Sequence, residues 1–145
     1  MVHIAIMKKS WGLTQKILTG EKTIETRWYK NKSSPWNKIK KGEIIYFKDS
    51  GEPITVKAIV KRVEQYSDLN DEKIKSILKK YSNKDLGTKE ISDEIRNYVK
   101  GKKYCIIIHI TTPKSIKPFD IDKKGFGMMC AWMCVEDVNS VKVLK

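Results

Sequence analysis

Eight consecutive residues, Tyr104-Cys105-Ile106-Ile107-Ile108-His109-Ile110-Thr111, contain four isoleucines and no Lys, Arg, Asp or Glu. The stretch neither alternates nor repeats every three to four residues, so both of its faces must be covered. Its length and β-branched content predict a strand inside a sheet that is packed on both sides. That demand falls on a chain of 145 residues, a length that fits one domain.

The remaining periodicities supply neighbours for that strand. Residues 2–7 alternate weakly and predict a first strand, and Leu13, Ile17 and Leu18 share one face of a helix over 13–19 that Gly20 ends. Residues 22–28 are rich in β-branched and aromatic side chains and predict a second strand, followed by a lysine-rich loop over 29–41 that turns at Ser33-Ser34-Pro35. A third strand is expected over 43–48, closed by Asp49-Ser50-Gly51. A fourth over 54–63 sets Ile54, Val56, Ala58 and Val60 against Thr55, Lys57, Ile59 and Lys61. Ile74, Ile77, Leu78 and Tyr81 follow helical spacing, as do Ile91, Ile95, Tyr98 and Val99 before Gly101. Residues 129–135 predict a further buried strand and residues 141–144 a short last one. With that short last strand set apart, the order β-α-β-β-β-α-α-β-β predicts an α+β fold: one domain over 1–145, a small curled sheet or barrel with helices at its ends and a helical insert at about 68–101.

Composition excludes several classes. With 40% apolar residues and 19 isoleucines the chain is too hydrophobic for a solvated, disordered tail. No apolar stretch approaches the ~18–20 residues of a membrane span. The apolar start, residues 1–7, lacks a basic flank and a cleavage site, so no signal peptide and a cytoplasmic location are expected. Cys105, Cys130 and Cys134 are an odd number without zinc-ligand pairing, which predicts three buried thiols, no disulfide and no metal. No cofactor is expected, and His3 and His109 read as core or rim histidines. Met128, Met129, Met133 and Trp132 read as core packing, with Trp132 as a base-stacking wall the other reading.

The charge is uneven. Net charge is +13, and residues 8–41 hold ten basic and only two acidic side chains, a net of +8. Trp11, Trp28, Trp36 and Tyr29 lie in the same segment. Cations neutralise phosphates and aromatic faces stack on unpaired bases; a solvated basic face over core tryptophans is the competing explanation. Only three arginines stand against 27 lysines, and Arg27 sits on the same strand face as Glu25. A Glu can steady an Arg fork and leave its other N–H donors for a phosphate or base edge.

These residues sit in Gly20-x-Lys22-x-x-Glu25-x-Arg27, after a short helix ending Ile17-Leu18-Thr19-Gly20 and before the step Lys40-Lys41-Gly42-Glu43-Ile44-Ile45-Tyr46-Phe47. The pattern resembles the signature of the ASCH domain family, within the PUA-like superfamily, over residues 2–66. The resemblance implies a PUA-like β-barrel of about five to six strands with flanking helices, a cleft lined by the Lys, Glu and Arg of the motif, and RNA as the partner. Some members are similar to amidohydrolases of acylated cytidine nucleosides or to ribonucleases. The amidohydrolase pattern carries a Lys and, three positions on, a Thr nucleophile with a distant Glu. Here Lys22 matches the Lys, Glu25 stands at the Thr position, and Glu72, Glu90 and Glu94 are candidates for the distant Glu.

The expected function is therefore binding of RNA, or another nucleic acid, in a basic cleft beside the barrel. Lys22 and Arg27 are expected to contact phosphate or a base edge, Glu25 to orient Arg27, and Trp28 or Trp11 to stack. Lys8, Lys9, Lys30, Lys32, Lys38, Lys40 and Lys41 are expected to steer the approach. The alternatives are a hydrolase of modified nucleosides or RNA, with Lys22 and Glu25 as catalytic proton-transfer partners, and a protein-interaction adaptor using the basic face.

Overall fold

A computed structural model describes residues 1–86, 90–127 and 129–143. Its strands are β1 (Val2–Met7), β2 (Ile24–Tyr29), β3 (Ile44–Asp49), β4 (Ile54–Tyr66), β5 (Tyr104–Phe119) and β6 (Trp132–Val135). Its α-helices are α1 (Leu13–Thr19), α2 (Asp71–Leu86) and α3 (Asp93–Val99). The strands form one sheet in the order β2-β5-β4-β3-β1-β6. Only β1 and β3 run parallel; every other pair is antiparallel. The α+β class and the element order agree with the periodicities.

The apolar run lies where its composition demands. β5 is flanked by β2 and β4, and its alternate residues feed two different cores. Ile106, Ile108 and Ile110 join Ala5, Ile45, Phe47, Val56, Ala58 and Val60 in the core under α1, into which Leu13 and Ile17 insert. Cys105 and Ile107 join Ile24, Trp28, Ile74, Ile77 and Tyr81 beneath α2. A third apolar cluster, with Ile4, Ile54, Met133, Val135 and Val141, lies under the C-terminal segment.

The sheet curls because its long pair is irregular. β4 and β5 extend beyond the expected 63 and 111, and their register shifts at Ile54/Val56, Lys57/Ile59 and Val60/Arg62. Each extra residue in one strand of an antiparallel pair bends it and raises its twist. The curl brings the two edge regions of the sheet, β2 on one side and β1–β6 on the other, to face each other. Gly20 (φ +83°) ends α1, donating its N–H to the Ile17 carbonyl, and sends the chain toward β2.

Several local expectations are corrected. β2 begins at Ile24 rather than Lys22, because the Lys22 and Thr23 amides bond to the Lys16 and Lys84 carbonyls instead of to a sheet neighbour. Met129 is 96% exposed, not core, whereas Met133 and Trp132 are buried, which favours packing over stacking for that indole. Met128 and Leu144 lie outside the described residues. In place of a last strand, a 3-10 turn (Val138–Ser140) leads to an isolated bridge between Ile121 and Lys142. Of the three free thiols only Cys105 is fully buried; Cys130 and Cys134 are half-buried. No cluster of metal-ligating side chains occurs among the described residues, and no helix among them is long and apolar enough to cross a membrane.

Candidate functional site

Between the facing sheet edges lies a cavity of about 550 Å³. β2 supplies Glu25, Thr26, Arg27 and Trp28 to its wall; the end of β1 supplies Ile6 and Met7, continuing into Lys8 and Trp11. The end of α2 contributes Leu78, Asp85 and Leu86, and α3 with the residues after it adds Glu94, Ile95, Tyr98, Val99 and Lys102. β2 is an edge strand of the sheet, and residues from both of its faces line the cavity.

Arg27 spans the gap. Its Nη2 donates to the Ile6 carbonyl at 3.3 Å and to Met7 Sδ at 3.4 Å, and its Nη1 donates to the Ala131 carbonyl at 3.3 Å. The guanidinium carbon lies 5.0 Å from the centre of the Trp132 ring. Trp132 in turn donates its indole N–H to His3 Nδ1 at 3.1 Å, and His3 Nε2 bonds Glu43 at 3.0 Å. Since the indole can only donate, His3 Nδ1 is the acceptor and Nε2 carries the proton. Burial lowers the pKa of His3, outweighing the pull of Glu43.

Glu25 is 4% exposed. Its Oε1 lies 3.7 Å from Lys22 Nζ and 3.9 Å from Arg27 Nε, ion-pair distances too long for hydrogen bonds. The expected Glu25–Arg27 pair is therefore electrostatic, and the fork is held by backbone carbonyls. Neither Glu25 Oε2 nor Arg27 Nε, both buried, has a hydrogen-bond partner among the described residues. Burial pushes the Glu25 carboxyl above the ordinary carboxylate range, against the cations Lys22 and Arg27, and Asp85 pushes it further.

Lys22 does not reach the cavity. It is 1% exposed, and its ammonium donates to the Asp85 carbonyl and pairs with the Asp85 carboxylate. The other carboxylate oxygen, Asp85 Oδ2, accepts from the Thr26 hydroxyl at 2.7 Å, and Thr26 Oγ1 accepts the Trp28 indole N–H at 3.2 Å. Trp28 is thus 6% exposed and packed beneath α2, with only part of it on the cavity wall. The carboxylate hydrogen-bonded to Lys22 is that of Asp85, whereas Glu94 pairs with Lys8.

At the mouth, Glu94 pairs with Lys8 and accepts the Trp11 indole N–H at 3.0 Å. The Trp11 and Tyr98 ring centres lie 5.8 Å apart, and Lys102 Nζ lies 5.0 Å from the centre of the Tyr98 ring. Of the residues expected from the sequence, the structure brings together Lys8, Trp11, Glu25, Arg27 and Trp28. Lys9 (paired with Glu52), Lys30, Lys32 (near the Tyr104 ring), Lys38, Lys40 and Lys41 lie outside the cavity wall. Sequence reasoning missed Thr26, Asp85, Tyr98 and Lys102. Tyr98 had been expected on the apolar face of its helix, yet it is 37% exposed.

No family profile and no curated protein matches this sequence. Solved structures do. The chain is similar to the crystal structure of ASCH from Zymomonas mobilis, with a TM-score of 0.67 and 14% identity over 95% of this chain and 90% of that one. A single-substitution variant of the same protein gives a TM-score of 0.67, 13% identity and coverage of 95% and 92%. A hypothetical protein matches at a TM-score of 0.51 and 23% identity, over 78% of this chain and 97% of that one. At such identities the likeness concerns the fold, and the fold agrees with the one that the Gly20–Arg27 motif led us to expect: a six-stranded curled half-barrel with three α-helices among the described residues, similar to that of the Zymomonas mobilis ASCH structures.

Proposed function

We propose that this domain binds single-stranded RNA and takes one unpaired nucleotide into the cavity between the sheet edges. The observation that carries the reading is the cavity wall, which sets the side chains of Glu25 and Arg27 beside the aromatic rings of Trp11 and Tyr98. A carboxyl group beside a guanidinium offers an acceptor next to a donor, the complement of a base edge that presents a donor next to an acceptor. Trp11 and Tyr98 supply the stacking faces, and Lys8 and Lys102 the rim cations. Lys22, behind the strand, acts through Glu25 rather than on the guest. RNA is preferred over DNA by resemblance to the ASCH family, since charge alone does not separate them.

Fluorescence anisotropy with short single-stranded RNA tests the reading. If four to six phosphates are contacted, the log–log salt slope is about −3 to −4, at about −0.7 per phosphate. No association at low salt would remove it. One observation favours a second reading as a hydrolase: Thr26 lines the cavity and its hydroxyl donates to Asp85, which also holds Lys22. Chromatography of acylated nucleosides and short RNAs after incubation decides between the two; turnover lost in Thr26→Val would make the hydrolase primary.

A further inference from the structure

We propose that Glu94 holds, in the free protein, the seat of the guest's phosphate: a carboxylate of the chain itself that an incoming nucleotide must displace. The inference rests on the cavity being a nucleotide site and adds how its mouth works. Two donors from the corner after β1, Lys8 Nζ and Trp11 Nε1, converge on a single oxygen, Glu94 Oε1. That convergence is how a protein holds a phosphate oxygen, with one cation and one neutral N–H on the same atom. The Lys8 ammonium also lies 5.0 Å from the Trp11 ring centre, which keeps cation and indole side by side.

The seat is in the right place. Glu25 and Arg27 line the cavity, Trp11 and Tyr98 form aromatic wall, and Lys8 and Lys102 stand at the mouth. A nucleotide whose base meets Glu25 and Arg27 therefore leaves its phosphate at the level of Lys8. Glu94 is well suited to be released. The side chains of Lys8 and Glu94 are 54% and 56% exposed, so water replaces each partner readily and the pair is weak. A phosphate adds charge and oxygen acceptors to what a single carboxylate offers, so exchange runs toward the guest. The Trp11 indole N–H, now fixed to Glu94, transfers to the phosphate or turns with the ring onto the base.

Glu94→Gln removes the competing charge and keeps an acceptor for Trp11. Each ribonucleoside and its 5′-monophosphate is titrated into both proteins by calorimetry. The expected result is a roughly two- to fivefold gain in affinity for the monophosphates and none for the nucleosides, the size set by an exposed ion pair. Glu52→Gln, which removes the same charge from the Lys9 pair outside the cavity wall, should give a smaller gain. Equal gains for nucleosides and monophosphates, or equal gains from the two variants, would overturn the proposal. If neither protein binds any nucleoside or nucleotide, the nucleotide-site reading fails, and inorganic pyrophosphate then decides the seat by itself. The Trp11 indole N–H resonance should shift at lower pyrophosphate in Glu94→Gln than in the unmodified protein, and no difference would overturn the seat as well.

Discussion

Asp85, at the end of α2, takes the ammonium of Lys22 on both its backbone carbonyl and its carboxylate, across 63 residues of chain. The Lys22 side chain is fully buried and that of Asp85 is 14% exposed. This pair ties the helical insert to the strand that carries Glu25 and Arg27.

Breaking one half of a buried pair costs about 3–5 kcal/mol, and with Glu25 Oε1 still 3.7 Å from the Lys22 ammonium the lower end of that range applies. Asp85→Asn should therefore lower unfolding stability by about that amount in urea titrations. Combining Lys22→Met with Asp85→Asn should recover a large part of the loss, because no uncompensated ammonium is left. A double variant no more stable than Asp85→Asn would mean the carboxylate matters for its bond to Thr26 instead.

Two carboxylates should tilt the pH profile of stability in opposite directions. The Glu25 pKa is raised, so the folded state holds its proton more tightly; its contribution is present at low pH and declines as pH rises through the folded value. Burial also pushes Glu64 upward, but hydrogen bonds from His109 and Tyr81 outweigh it and the net shift is down. Glu64 thus contributes above the ordinary carboxylate range and loses that contribution as pH falls through its folded value. Relative to the parent, Glu25→Gln should gain stability as pH rises above about 4.5, whereas Glu64→Gln should flatten the acid limb below that point. Urea midpoints measured from pH 3 to 8 check both.

Arg27→Lys keeps the charge and loses the fork that reaches the Ile6 and Ala131 carbonyls. RNA affinity should fall while the salt slope stays nearly constant. Lys40→Ala, on the exposed loop, should reduce the slope by about 0.7 if Lys40 touches one phosphate. Anisotropy titrations across salt separate the two; equal effects would make Arg27 one cation among many.

The two tryptophans of the cavity should differ in kind. Trp11 is half-buried at the mouth, so Trp11→Ala should weaken RNA binding by about 1–3 kcal/mol with little change in the urea midpoint. Trp28 is packed beneath α2, so Trp28→Ala should destabilise the fold by about 3–5 kcal/mol. A loss of stability from Trp11→Ala as large as that from Trp28→Ala would place Trp11 in the core.

Local repetition carried the secondary structure, because side-chain period is a property of neighbours along the chain. The 105–110 run demanded cover on both faces, and it has it, split residue by residue between two cores. The same period of two put Glu25 and Arg27 on one face of β2, where the structure has both on the cavity wall. What faces that wall could not be read in this way. The register shifts between β4 and β5 bend the sheet until β2 approaches Ile6 and Ala131, and only that curl hands Arg27 its carbonyls. The fold of the insert decides that Asp85 meets Lys22 and that Glu94 and Tyr98 stand over the mouth, while most lysines of the basic segment lie elsewhere on the surface. Charge and aromatic content are sums over a segment and carry no direction; direction comes from contacts between residues dozens of positions apart, which exist only once the sheet has closed.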